Sequence, residues 1–291
     1  MERNQKSAPP TSDQKHLFDD ASYRCGRVIT NAYSTSFSLA IRFLNKDFHA
    51  PIHAIYGFVR LADEVVDSFH EFPKRELMQR LRAETFEAID SGISLNPLLN
   101  AFQATVHRYE IDHEMVDTFL RSMEMDLERT VYDQRGYEEY ILGSAEVVGL
   151  MCLKVFCEGD AQLYDKLKEP AMKLGSAFQK INFLRDMHTD YAALGRSYFP
   201  GLRVNEFNEA TKQRIEEDIL ADFKAGYDGI IGLPKRARFG VYLAYVYYMA
   251  LFKKISGMHA AAILQERISI SDREKATLLV GSYVRHSLNR I

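Results

Sequence analysis

Apolar residues recur every three to four positions through nearly the whole chain, and runs of alternating polar and apolar residues are scarce. That period belongs to amphipathic helices. It predicts helices over 17–33, 49–70, 74–91, 97–109, 113–131, 136–157, 170–193, 206–226, 234–256 and 271–289, an all-α fold. Pro73 and Pro170 fit first-turn positions, Gly92 and Gly195 fit positions just past helix ends, and Pro234 opens the late apolar helix. No Gly/Ser-rich linker or change in composition divides the chain, so 17–291 reads as one domain behind a disordered tail, 1–16. That tail has no apolar core of the kind a signal peptide needs. The longest apolar run, Val241 to Phe252, falls short of the ~20 residues that span a bilayer and reads as a buried helix.

Two of the apolar helices each carry a polar stripe ending in Asp-x-x-x-Asp. In one, Tyr56, Arg60, Asp63 and Asp67 share a face; in the other, Gln179, Asn182, Asp186 and Asp190 do. The first helix is otherwise greasy, with Ile52, Ile55, Phe58, Val59, Val65 and Val66, so its stripe faces a cavity rather than bulk water. Carboxylates gathered in such a place need cations. Aspartates one turn apart reach one cation or share two, and oxygen-only donors with retained waters suit Mg²⁺ rather than zinc. Arg60 and Arg185 add guanidinium groups suited to phosphate, so the stripes together describe a diphosphate site with metal. Spacing alone is weak: Asp218 and Asp222 repeat it without such company and read as a solvated helix face.

Composition narrows the picture. The 291 residues are 46% hydrophobic and 26% charged, with net charge −3, which is a soluble globular profile without the basic excess a nucleic-acid surface needs. Three cysteines, Cys25, Cys152 and Cys157, are odd in number and lack metal-ligand spacing with histidine; they read as small apolar residues in a reducing cytoplasm. Nine histidines form no His-Glu-x-x-His or compact cluster and read as exposed or core groups, with His188 the one to test. The serine-hydrolase elbow, phosphate-binding loop and dinucleotide fingerprint are all absent from the sequence. Tyr242, Tyr245 and Tyr247 read as core, and Lys235, Arg236 and Arg238 as a solvated first turn able to steer an anion.

Several blocks resemble the squalene and phytoene synthase family. They are Tyr33-Ser-Thr-Ser-Phe37, Ala54 through Asp67, Met123-Glu-Met-Asp-Leu127, Tyr140 to Gly149, Gln179 through Asp190, Gly195-Arg-Ser-Tyr-Phe-Pro200 and Tyr248 to Ile255, in the family's order over about residues 22–285. The resemblance implies an isoprenoid-synthase-type helical bundle with a central cavity. It implies Asp63, Asp67, Asp186 and Asp190 as ligands of about three Mg²⁺ ions, with Mn²⁺ able to stand in and Asn182 as a further donor. By the same carry-over Ser34, Ser36, Arg60, Arg185 and Arg267 contact diphosphate, while Tyr56, Tyr140, Gln179, Asn182 and Tyr248 line the reaction centre.

The implied reaction joins two prenyl diphosphates head to head, either two geranylgeranyl diphosphates into phytoene without NADPH, or two farnesyl diphosphates into a C30 product. A non-catalytic lipid-binding relative is the competing class, and retention of the four aspartates argues against it. The apolar product implies transient docking on a membrane surface. Three positions depart from the family's pattern: Glu146 where many relatives have glycine, Thr35 where some carry a basic residue, and Asp-Met-His-Thr-Asp without an additional acid.

Overall fold

A computed structural model describes residues 12–128, 131–194, 198–202 and 206–288; at 12, 13 and 190–194 the backbone alone is described. The described residues form a helical array: α1 (Ser12–Tyr33), α2 (Thr35–Arg42), α3 (Lys46–Asp67), α4 (Lys74–Ser91), α5 (Pro97–Tyr109), α6 (His113–Glu128), α7 (Gln134–Ile141), α8 (Val147–Cys157), α9 (Ala161–Leu194), α10 (Glu209–Gly232), α11 (Lys235–Ser256), α12 (Ala260–Ile263) and α13 (Asp272–Ser287). A π-helical turn, Leu142–Glu146, joins α7 to α8.

The all-α expectation holds, and several boundaries move for identifiable reasons. Helix α1 starts at Ser12, inside the stretch assigned to the tail, while residues 1–11 lie outside the described residues. Helix α2 has no counterpart in the periodicity reading. Ser34 leaves the helical region (φ −143°, ψ 103°) and its hydroxyl accepts from the Phe37 amide, so a second short helix starts one residue after the first ends. Pro170 does not begin a helix: α9 starts at Ala161 behind Asp160, whose carboxylate accepts from the Leu163 amide, and runs through the proline. The 136–157 stretch is continuous but contains the π turn, a feature frequent at functional sites. Gln134–Cys157 is long and apolar enough to cross a membrane by length and composition, yet most of it is buried inside the bundle.

Helices α3 and α9 form the central walls. Phe58 of α3 stacks on Phe102 of α5 with ring centroids 3.9 Å apart and packs near Phe119 of α6, all fully buried. Among the described histidines, His53 is buried with Nδ1 2.9 Å from the Thr30 hydroxyl, and burial followed by the charges of His49 and Arg27 pushes its pKa down to about 4. Tyr242 and Tyr247 are core as expected. Lys235 and Arg236 are exposed, in keeping with a solvated turn, with Arg236 bonding Asp47 and Glu158 at the surface, while Arg238 is half-buried and donates to the Leu233 carbonyl.

The solvated-face reading of Asp218 and Asp222 is overturned for Asp222. Asp222 is buried, Lys180 of α9 reaches both aspartates, and Lys173 Nζ lies 3.4 Å from Asp222. The pair ties α10 to α9, Asp222 from the interior and Asp218 from an exposed position at its edge. Spacing could not reveal this, because the lysines that neutralise it sit on another helix.

Where the π turn meets α9, only a glycine fits. A Cβ at Gly175 would stand 2.7 Å from the Ala145 carbonyl oxygen, a backbone atom that cannot swing away. Gly175→Ala is therefore expected to destabilise the fold by about 1–3 kcal/mol through overpacking, measured by urea denaturation; unchanged stability would mean the two elements slide apart freely.

Candidate functional site

The stripes do face a shared cavity of ≈510 Å³. On α3 its lining runs from Ile52 and Ile55 to Arg60, Asp63 and Asp67; on α9 it runs from Leu167 and Ala171 to Gln179, Asn182 and Asp186. Each wall thus changes from apolar to polar toward its C-terminal end. At 1.5 Å per residue the lined length of α3 is about 22 Å, an elongated slot with one charged end.

The two acidic pairs sit in different electrostatic settings. Asp63 is short of positive charge: burial first, then the charges of Asp67 and Asp126, push its carboxyl up to about 7, with Arg60 pulling the other way. Arg60 gives it only a loose contact, Nη1 to Oδ2 3.8 Å, because its main partner is Glu64 one turn on, and its Nε is buried with no acceptor. The Arg60–Glu64 pair was missed in the sequence, although the i, i+4 spacing was there to read. Asp186 is the opposite case. Burial would raise its pKa, but Arg185 (Nε to Oδ1 3.0 Å and to Oδ2 3.1 Å) and Arg267 (Nε to Oδ1 2.8 Å) hold it below the usual carboxylate range.

The other expected residues divide as follows. Tyr56, Tyr140, Gln179, Asn182 and Tyr248 all line the cavity, as do Ser34, Arg185 and Arg267. The Tyr248 hydroxyl donates to Asn182 Oδ1 (3.2 Å) and Asn182 Nδ2 donates to Gln179 Oε1 (3.2 Å), a chain that fixes the polar stripe of α9 against α11. Ser36 lies on α2 and is not among the residues that line the cavity. The Asp190 side chain and Gly195 lie outside the described residues. His188 is structural, its Nδ1 2.7 Å from the Leu264 carbonyl oxygen. Cys152 lines the apolar part, and burial pushes its thiol up to about 12, so it behaves there as an apolar side chain.

Aromatic groups that the sequence reading did not single out complete the cavity. On one side, Phe37 lies 5.9 Å from Tyr56 and 5.8 Å from Tyr248, and Phe178 stacks on Tyr248 at 4.0 Å. Opposite, Phe183 stacks on Tyr198 at 4.1 Å, with Tyr140 5.2 Å from Tyr198. Beneath that second group the buried Asp126 accepts from the hydroxyls of both Tyr132 and Tyr140 at 2.7 Å. Burial and then the Asp126 charge hold the Tyr140 pKa well above the usual value, so Tyr140 keeps its proton and donates it. Tyr132 lies six residues from Asp126 across a helix end, a spacing that carries no periodic signal.

A slot with a charged end, aromatic walls and an apolar remainder suits a long hydrocarbon bearing an anionic head. The squalene/phytoene synthase family model matches residues 30–274, and the chain belongs to that family of prenyltransferase-type synthases, which condense prenyl chains head to head. A 4,4'-diapophytoene synthase from Staphylococcus haemolyticus (strain JCSC1435) is 27% identical over 205 residues, 70% of each chain. A 15-cis-phytoene synthase from Paracoccus sp. (strain N81106 / MBIC 01143) is 26% identical over 269 residues, 84% of this chain and 86% of the relative. The fold matches a dehydrosqualene synthase crystal structure with TM-score 0.76 at 18% identity, covering 93% of this chain and 98% of that one. It also matches a squalene synthase from Alicyclobacillus acidocaldarius with TM-score 0.71 at 19% identity, over 82% of this chain and 94% of that one.

Proposed function

We propose that the protein condenses two geranylgeranyl diphosphates into phytoene with Mg²⁺, through a cyclopropylcarbinyl diphosphate. The observation that carries the diphosphate assignment is the polar end itself: two Asp-bearing helices and three arginines, Arg60, Arg185 and Arg267, line one end of an otherwise apolar slot. The fit to a hard divalent cation rests on the donor set. Among the described residues no three His, Cys, Asp or Glu side chains form a ready-made metal cluster. Instead Asp63 and Asp67 form an oxygen-only pair whose mutual repulsion shows in Asp63, and Mg²⁺ held by one or two carboxylates takes its other ligands from phosphate and water. Asp63, Asp67 and Asp186 would hold the ions, joined by Asp190 from the sequence pattern, and Mn²⁺ can substitute. Bound there, the metal supplies charge neutralisation for the departing diphosphate.

The chain's own groups do the rest. Arg185 and Arg267 exchange Asp186 for phosphate oxygens, charge-assisted bonds of similar strength. Loss of diphosphate from one substrate breaks a C–O bond and leaves an allylic cation. The double bond of the other attacks it, and loss of a proton closes the three-membered ring. Tyr56, Phe37 and Tyr248, with Phe183, Tyr198 and Tyr140, present aromatic faces to that cation and exclude water from it. Asp126 orients Tyr140 through the hydroxyl bond and enriches its ring. The second ionisation breaks the remaining C–O bond, the ring rearranges, and a second proton is lost. No hydride enters, so NADPH is not required.

A second reading has a specific observation in its favour: the Staphylococcus haemolyticus relative is a 4,4'-diapophytoene synthase, which points to farnesyl diphosphate and a C30 product. Incubating the purified protein with each prenyl diphosphate, with Mg²⁺ or EDTA and with or without NADPH, separates the two. The expected product is phytoene from geranylgeranyl diphosphate, dependent on Mg²⁺ and indifferent to NADPH. A C30 hydrocarbon from farnesyl diphosphate alone would replace the substrate assignment, and no hydrocarbon from either would refute the function.

A further inference from the structure

Helix α13 runs antiparallel along α11. Near its start the Lys275 carbonyl accepts from the Tyr247 hydroxyl (3.3 Å), and near its end Tyr283 and His286 approach the Phe239 ring, with centroids 6.1 Å and 4.7 Å away. It is held by a narrow strip, since Ser282 is its one buried residue. The outer face is apolar. Ala276, Val280, Val284 and Leu288 recur every fourth residue along the helix and its C-cap, so they share one side of it. Val280, Tyr283, Val284 and Leu288 are 64%, 57%, 50% and 60% exposed. Apolar groups gathered on one exposed face mark a surface that something covers. The helix also connects to the interior: Leu279 packs on the cluster of Ile230, Phe239 and Tyr242, and Ile230 lines the apolar part of the cavity.

The C-terminal end of the stripe is rimmed by cations. Phe43 packs edge-on against Phe239 (5.3 Å), which brings together Arg42 beside Phe43, Lys235 one turn before Phe239, and Arg285 beside His286. All three are exposed and make no ion pair among the described residues. Asp47 and Glu158, at the same end, are both bonded to Arg236. The surface there is thus locally basic on a chain of net charge −3. Apolar side chains flanked by unpaired cations match an anionic lipid surface, whose headgroups draw the cations while the apolar groups insert. A second copy matches less well, because pairing this face with itself sets the same cations against each other. We propose that α13 is the face by which the protein docks on an anionic bilayer, with Val280, Val284 and Leu288 entering the headgroup region and Arg42, Lys235 and Arg285 against the lipid phosphates. The purpose of the docking rests on the prenyl-diphosphate reading: a long hydrocarbon made in the cavity passes into lipid without crossing water.

Two double variants at exposed positions separate insertion from charge. In flotation without substrate, vesicles of phosphatidylcholine containing about one third phosphatidylglycerol are expected to carry the protein, and pure phosphatidylcholine to bind it at least about tenfold more weakly. Val280→Gln with Val284→Gln, and separately Lys235→Gln with Arg285→Gln, are each expected to weaken binding to the anionic vesicles about tenfold or more. Only the deficit of the charge variant is expected to fade at high salt. Turnover of detergent-dispersed substrate is expected to stay within about twofold of the parent in both. A parent that stays in the soluble fraction, or a stripe variant that floats as the parent does, would overturn the proposal. So would a parent that sediments as a dimer, binds no vesicles and becomes a monomer on Val280→Gln with Val284→Gln, since the stripe would then join two copies. Turnover without flotation would remove the docking face and leave the function standing. Flotation without turnover of any prenyl diphosphate would keep the face and refute the function.

Discussion

Asp63→Asn is expected to lower turnover more than about a hundredfold, since on the proposed mechanism it removes a cation ligand and even partners one shell out cost 10–100-fold. The fold is expected to survive or gain. Asp63 is crowded by Asp67 and Asp126 within a partly buried setting, so a neutral amide of the same shape relieves repulsion that the metal-free protein carries at neutral pH. The signature is a variant that is inactive with a melting temperature at or above the parent's. Asp186→Asn is expected to lose activity as severely without that gain, because Asp186 is held by Arg185 and Arg267 in the absence of metal. Near-parental activity in either variant, measured by product formation at saturating Mg²⁺, would remove the two-sided clamp from the account.

Lys180→Met is expected to destabilise the protein by about 3–5 kcal/mol, the range for breaking a buried ion pair from one side. Its ammonium is the link between Asp218 and the buried Asp222, and Lys173 at 3.4 Å reaches only the other oxygen of Asp222. Removing both partners, Lys180→Met with Asp222→Leu, is expected to recover most of the loss, because no uncompensated charge then remains inside. Urea denaturation of the two single variants and the double closes the cycle. Additive losses would show that the two groups act independently and that the α9–α10 contact is held by packing alone.

The fold was legible wherever burial imposes a helical period. The long amphipathic helices and the two polar stripes are of that kind, and Asp63, Asp186, Asn182 and Gln179 stand at the cavity as their spacing requires. What escaped the sequence depends on contacts between elements. Helix α2 exists because Ser34 caps it, a one-residue break that periodicity reads as a loop. Asp222 looks like a surface acid until Lys180 and Lys173 are placed beside it. Asp126 becomes part of the site through the hydroxyls of Tyr132 and Tyr140, both of which lie beyond the end of α6 in the chain. The Lys275–Thr35 contact joins residues from opposite ends of the chain, and no local pattern could indicate it. Substrate length is the least legible feature, since it is set by side-chain volumes from several helices at the apolar end.

The central claim is that the stripes of α3 and α9 grip one diphosphate cluster from two sides through divalent cations. Crystals grown with Mn²⁺ and inorganic diphosphate test it most directly, because Mn²⁺ is located by its anomalous scattering independently of the protein phases. Anomalous peaks are expected between the carboxylates of Asp63 and Asp67 on one wall and Asp186 on the other, with diphosphate oxygens bridging them. Diphosphate held by arginines alone, with Mn²⁺ absent from both acidic walls, would contradict the account.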